Sequence, residues 1–386
     1  MSATAERTLQ DLVDLVHGWY PPGTADSWDA VGLVHGDPAQ PVRRVMFAVD
    51  PTPEVAREAA AWDADLLVVH HPLFLKPVHG FAATTPKGRT LATLAAAGCA
   101  LLTAHTNADQ AVGGVSEAMA TALGLTDLAP VLPRGAGGID KLTVFVPPAD
   151  ADRVRAALAE AGAGRIGDYD HASFSTPGRG RFRPLEGANP TIGAVGDLEE
   201  VEEERVEVVL DRRLRRRVVD ALVAAHPYEE PAYDVVELAP TGQSGPAPTG
   251  AGRIGSVEPQ SLRAFADRVA AALPATAHGV RVAGDPEREV RRVAVCGGAG
   301  DFMLDDVLAS GADVYVTSDL RHHPAAEFLE KARFHGDGGP ALVDVAHWAA
   351  EWTWLPVVRA KVAEAVGDTV ETRVSTLCTD PWHFRL

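Results

Sequence analysis

The chain has 386 residues, 46% of them hydrophobic and 23% charged, which is ordinary globular composition with room for two or three domains. A formal net charge of −18 disfavours nucleic acid as the main partner, because phosphate binding draws on clustered Lys and Arg. The three cysteines are widely spaced, no window is apolar enough to span a bilayer, and the N-terminus lacks an apolar signal core, so the expected setting is reducing and cytoplasmic.

Leu9, Leu12, Val13 and Val16 recur at helical spacing, and Pro21-Pro22-Gly23 ends that helix. Residues 27–36 read as a strand with glycine at a bend, and residues 43–50 as another. Thr52-Pro53 opens the next helix, with threonine as cap and proline in the first turn. Residues 64–69 form a short apolar run that ends in His70-His71-Pro72. Proline cannot donate to a sheet ladder, so the strand stops there. Its two imidazoles then sit at the C-terminal end of a buried strand, where open α/β sheets bind ligands. Adjacent residues on an extended chain point in opposite directions, so both rings reach one site only if the backbone turns.

A helix near residues 88–97 leads into a buried strand at 100–104, which runs into His105-Thr106-Asn107-Ala108-Asp109. Strands alternating with helices imply a mostly parallel sheet covered by helices. Two strand ends would then bring imidazoles and a carboxylate to one edge, a ligand set suited to a borderline divalent metal.

In the middle, residues 141–148 read as a strand, 149–162 as a helix, and the stretch around Gly167, Gly178, Gly180 and Pro184 as hairpin and loop. Residues 206–210 are a strand, 213–225 a basic amphipathic helix and 233–238 a last strand. That β-α-β-β-α-β order is the split βαβ plan, here inserted within a larger domain and followed by a linker at 241–250. His226-Pro227-Tyr228-Glu229-Glu230-Pro231 reads either as a solvated turn after the helix or as a small-ligand or subunit contact.

The last segment repeats the first. Residues 291–295 echo 43–47, and 311–316 echo 64–68, here leading to Thr317-Ser318-Asp319 and then Arg321-His322-His323-Pro324. Ala346-His347-Trp348-Ala349-Ala350-Glu351 parallels Ala104-His105-Thr106-Asn107-Ala108-Asp109. On a helix, His347 and Glu351 lie one turn apart on one face and can hold one ion. The expected fold is therefore α/β, with two pseudo-symmetric halves, residues 1–130 and 251–386, forming one metal-binding domain, and an α+β ferredoxin-like insert at 135–245.

These motifs resemble the NGG-interacting-factor-like dinuclear-metal hexamers, proteins labelled GTP cyclohydrolase 1 type 2 homologues. The matching residues are Trp28-Asp29-x-Val31-Gly32-Leu33, His70-His71-Pro72-Leu73, His105-Thr106-Asn107-x-Asp109, Gly297-Gly298-Ala299-Gly300, Thr317-Ser318-Asp319 through His323, and His347 with Glu351. The insert is similar to nitrogen-regulatory PII and CutA trimer-forming modules. The resemblance implies two divalent ions per subunit, zinc, iron, manganese or nickel, held by His70, His71, Asp109, His347 and Glu351 inside a toroidal homo-hexamer. His105 is a further ligand candidate. It departs in having Ser318 where glycine is usual, and Ala346-His347-Trp348 where glycine-histidine-tyrosine is usual. The implied activity is hydrolysis by a metal-activated water, on a nucleotide such as GTP, with His105 or His323 as proton shuttle. The rival expectation is a non-enzymatic metal-holding or regulatory protein acting through its insert.

Overall fold

Thr8 opens the first helix with a reciprocal cap: its hydroxyl accepts from the Asp11 amide, and the Asp11 carboxylate accepts from the Thr8 amide. The computed structural model describes residues 6–133, 138–166, 169–238, 249–334 and 339–386. The first segment runs α1 (Leu9–Trp19), β1 (Gly32–His35), β2 (Arg44–Ala48), α2 (Pro53–Ala61), β3 (Leu66–Val69), α3 (Pro86–Ala96), β4 (Ala100–Thr103), α4 (Thr106–Asp109), α5 (Val115–Ala122), β5 (Thr126–Ala129) and β6 (Leu132–Pro133). The strand expected from residue 27 begins only at Gly32. Upstream of it Asp29 turns inward to accept from the Thr106 amide and hydroxyl, which takes the backbone out of the ladder.

The middle of the chain runs β7 (Ile139–Val146), α6 (Ala151–Glu160), β8 (Ser173–Phe182), β9 (Glu199–Asp211), α7 (Arg215–Ala225) and β10 (Tyr233–Glu237). These strands form a sheet of order β10-β7-β9-β8, every pair antiparallel. Residues Gly135–Gly245 are a compact unit with their own core, in which Leu142, Val144, Val206 and Leu210 meet Val154, Leu158, Val218 and Leu222. The stretch expected to be hairpin and loop contains the ten-residue strand β8, paired antiparallel with β9. Gly178, Gly180 and Pro177 hide it from propensity, yet an edge strand tolerates them because only one side must pair. Gly167 and residues 241–248 of the expected linker lie outside the described residues.

The last segment runs β11 (Gly250–Ala251), β12 (Arg253–Ser261), α8 (Leu262–Ala272), β13 (Arg281–Ala283), β14 (Glu289–Ala299), α9 (Leu304–Ala309), β15 (Val314–Ser318), α10 (His322–Phe334), β16 (Ala341–Val345), α11 (His347–Trp352), α12 (Trp354–Val366) and β17 (Glu371–Val374). It joins the first segment in a second compact unit, Met1–Arg134 with Pro246–Leu386. Two sheets build that unit, with orders β1-β4-β3-β2-β17 and β13-β16-β15-β14-β12-β5. The first has four parallel strands, β4, β3, β2 and β17, and the second has three, β16, β15 and β14; each is flanked by an antiparallel edge strand, β1 beside β4 and β13 beside β16.

The internal repeat extends to single hydrogen bonds. The Asp65 carboxylate accepts from the amides of Arg43 and Arg44, and the Asp313 carboxylate accepts from those of Arg291 and Arg292. Gly36 sits where a Cβ would strike Ala100 and Leu9, and Gly284 where a Cβ would strike Ala341 and Leu262. The two halves are nevertheless interlocked, not merely facing. β17, from the end of the chain, pairs with β2 in the first sheet, and β5, from the first segment, pairs with β12 in the second. One apolar core runs through both, from Leu9 and Val68 to Phe265, Val316 and Trp354.

Arg253 ties the segments together in the interior. Its guanidinium, 1% exposed, donates to the carbonyls of Gly250, Gly252, Gln110 and Ala111 and to the Glu117 carboxylate. Removing it takes a donor from five acceptors at once, although the Gln110 and Ala111 carbonyls keep the amides of Gly250 and Gly114. Arg253→Met is expected to lower unfolding free energy by about 3–5 kcal/mol, read from urea denaturation. Among the described residues no helix is long and apolar enough to cross a membrane.

Candidate metal centre

Parallel strands end on one edge of their sheet, and here the ends carry the chemistry. The amides of His70 and His71 both donate to the Val49 carbonyl beyond β2, so the ladder holds the His-His pair past the end of β3. β4 leads through His105 into the single turn of α4, which closes on Asp109. β16 leads into α11, whose first residue is His347; Glu351 follows one turn later, with Nε2 and Oε1 2.7 Å apart. The structure thus gathers His70, His71, His105, Asp109, His347 and Glu351 from both sheets of one compact unit.

Each imidazole is anchored through Nδ1, leaving Nε2 for the centre. His70 Nδ1 donates to the Ala104 carbonyl at 3.0 Å. His71 Nδ1 meets Asp50 at 2.7 Å, His105 Nδ1 meets Asp29 at 2.8 Å, and His347 Nδ1 meets Asp319 at 2.8 Å. This is how metal-binding histidines are oriented by their outer partners. Glu351, 2% exposed, turns its two oxygens to different rings: Oε1 lies 3.4 Å from His70 Nε2, and Oε2 lies 3.1 Å from His71 Nε2. Ligand atoms of His70, His71 and His105 lie within 4.8 Å of one another, as do those of His71, His347 and Glu351. Both groups have the composition and spacing to hold metal ions, and they share His71.

Three of these atoms fit a bound cation. His70 Nε2, Asp109 Oδ1 and Glu351 Oε2 are buried and make no hydrogen bond. Orphaned polar atoms are costly in a protein interior, and here three converge on one spot. Electrostatics agree. Burial and the neighbouring Glu351 charge push the Asp109 carboxyl up to about 7, although His105, His71 and His347 pull it the other way. Burial also disfavours charge on Glu351, but His71, His347 and His70 hold it well below the usual range. Burial would lower His71 and His347; Glu351 and Asp50 raise His71 well above its ordinary value, and Glu351 and Asp319 raise His347 to about 10. Asp29 stays well below the carboxylate range despite burial, through its bonds to His105 and Thr106.

The family model for Duf34/NIF3 (NGG1p interacting factor 3) matches residues 7–381. The chain belongs to the Duf34/NIF3 family. It is 50% identical over 378 residues, 97% of each chain, to a Mycobacterium tuberculosis protein named "GTP cyclohydrolase 1 type 2 homolog". A Bacillus subtilis protein of the same name is 36% identical, over 97% of this chain and 98% of its own. Among solved structures, the Bacillus cereus protein related to NIF3 superposes with a TM-score of 0.67 at 36% identity, covering 99% of this chain and 100% of its own. Staphylococcus aureus protein SA1388 gives 0.71 at 26% identity, covering 98% and 99%. The fold is thus the mixed α/β fold of Duf34/NIF3 structures.

Within this Duf34/NIF3 chain one expected site residue stands apart. His323 is exposed in the first turn of α10, its ring against His322, and among the described residues no hydrogen bond or ring contact joins it to the cluster. Ser318, standing where glycine was expected, donates from its hydroxyl to the Gly298 carbonyl at 2.6 Å. Gly298 has φ +77°, and a Cβ there would press on Glu351 Oε1 at 2.7 Å, so this backbone must pass close to the carboxylate. Asp50 was missed by motif reading. Its signal was its place at the end of β2, beside the end of β3. Thr379 donates to its other oxygen, which ties the tail of the chain to the site. Asp50→Ala, leaving every ring in place, is expected to weaken metal retention about 10–100-fold in a chelator competition, with the fold intact by circular dichroism.

Proposed function

We propose that this protein holds two divalent metal ions and works as a metal-dependent hydrolase. The observation that carries the reading is the convergence of His70 Nε2, Asp109 Oδ1 and Glu351 Oε2, buried and without a well-formed hydrogen bond. The proposed ligands are His70, His71, Asp109, His347 and Glu351, with His105 facing the same space. Zinc, iron, manganese and nickel all suit imidazole with carboxylate. Such ions supply Lewis acidity and a water acidified towards neutral pH.

The chain's own contribution is orientation and charge. Asp50, Asp29, Asp319 and the Ala104 carbonyl hold the Nδ1 side of the four rings, so that each Nε2 faces inward, where it would ligate an ion as a neutral ring. Glu351, with one oxygen towards His70 and His347 and the other towards His71, would help hold the ions from between those rings and supply negative charge to them. His105 Nε2 is the proposed proton carrier, its far nitrogen tied to Asp29. Trp28 stands edge-on to His105, with ring centroids 5.9 Å apart, and is mostly exposed. The name carried by the relatives makes a nucleotide such as GTP the first substrate to try. We further propose a homo-hexamer as the working assembly, with residues 135–245 as its PII- or CutA-like module.

The test is metal content by mass spectrometry on wild type and His71→Ala, followed by a hydrolysis screen that starts with GTP. About two ions per chain in wild type, lost in the variant, with turnover that follows the metal, is the expected result. Two ions with no turnover on any nucleotide or phosphoester would favour the alternative, a metal-holding regulatory protein acting through residues 135–245. Light scattering should give a mass about six times that of one chain; a monomer would remove the hexamer from the proposal.

A further inference from the structure

Residues 135–245 enclose a second polar site, independent of the metal centre. A cavity of about 550 Å³ opens among β8, β9, the loop after β8 and the turn after α7. Its walls are mostly apolar, with Phe145, Phe182, Pro184 and Ile192 among them. The loop is pinned to the turn: the Asn189 amide donates to Glu229 at 2.9 Å, and the Thr191 hydroxyl donates to the Pro227 carbonyl at 2.8 Å. The size is that of a pocket for a small organic molecule.

Charge in this cavity is unbalanced at one point. Glu203 lines it and is only 8% exposed. The three arginines on the wall are already committed elsewhere, Arg179 and Arg181 to Glu200 and Arg205 to Glu207. Among the described residues no cationic side chain pairs with Glu203. Its space is reserved by the backbone, since a Cβ at Gly180 would overlap the Glu203 carboxylate. Tyr228, on the same wall, has a buried hydroxyl that faces Glu203. Burial and the Glu203 charge push that hydroxyl up to about 12, so it remains protonated at neutral pH and can both donate and accept.

A buried carboxylate without a counter-charge is costly, and an adjoining apolar cavity says what kind of counter-charge fits. Glu229 and Glu230 line the cavity too, but they are exposed and Glu229 already holds the Asn189 amide, so the buried oxygens, one carboxylate and one hydroxyl, are too few for a bare divalent ion. We propose that this cavity binds a small organic cation, an amine or guanidinium on an apolar body, with Glu203 as its counter-ion and the Tyr228 hydroxyl as its second polar contact. The apolar body lies against Phe145 and Phe182. This gives the sequence His226-Pro227-Tyr228-Glu229-Glu230-Pro231 its work: it closes α7, positions Tyr228 and latches the loop.

The test uses the full metal-loaded chain, titrated by calorimetry with benzylamine, benzyl alcohol and benzoate. Benzylamine should bind at least about tenfold more tightly than benzyl alcohol, and benzoate should not bind. Glu203→Gln should abolish the preference for the amine, and Tyr228→Phe should weaken it several-fold, both with unchanged metal content. Equal binding of amine and alcohol to wild type would overturn the proposal without any variant. So would amine affinity untouched by Glu203→Gln, or displacement of benzylamine by calcium or zinc. A change of oligomeric mass in Glu203→Gln, with no amine binding to wild type, would instead assign the counter-ion to a neighbouring copy and equally overturn it.

Discussion

The candidate metal centre depends on one buried carboxylate. Glu351 lies in the interior with His70, His71 and His347 around it, and none of these groups sits there cheaply without the others. The carboxylate is held charged by the rings, and the rings are held in place by Asp50, Asp319 and the Ala104 carbonyl. Everything else in the unit arranges for strand ends from two sheets to arrive at this one oxygen pair.

That arrival explains the interlocked architecture. A site shared between two α/β halves needs the halves fixed to each other, because a small drift would separate Glu351 from His71. Strand exchange supplies the fixity. β17 belongs by sequence to the last segment and by pairing to the first sheet, while β5 does the reverse. Arg253 adds a polar tie in the interior, and Trp354, buried behind His70 and bonded to the Tyr20 hydroxyl, adds an apolar one. The repeated Asp65 and Asp313 hydrogen bonds show two copies of one plan, and the differences between the copies are where function concentrates. One copy ends its central strand in two histidines. The other ends it in Ser318 and Asp319, which do not offer rings but support Gly298 and His347.

Residues 135–245 follow a different economy. Their sheet is antiparallel throughout, covers one core of its own and needs no residue of the metal centre. What the two units share is the device of a buried carboxylate beside a glycine that makes room for it, Glu351 with Gly298 and Glu203 with Gly180. In the first the surroundings are imidazoles, which suits metal; in the second they are apolar walls, which suits an organic cation.

Much of this was legible in the chain. Apolar runs that stop at His70-His71 and at His105 mark strand ends, the spacing of His347 and Glu351 marks one helical face, and the doubled motifs mark the repeat. These are local signals, set by period and by residues that end strands. Strand exchange could not be read that way, because residues 371–374 carry no sign of pairing with 44–47 rather than with a neighbour. Nor could the inward turn of Asp29, the partnership of Asp50 with His71, or the removal of His323 from the cluster to an exposed helix start. The bounds of edge strand β8 were masked by its own glycines and proline. Sequence determines which residues end each strand and what chemistry they carry; which strand ends meet is decided by hydrogen-bond ladders and packing between residues hundreds of positions apart, which no local pattern encodes.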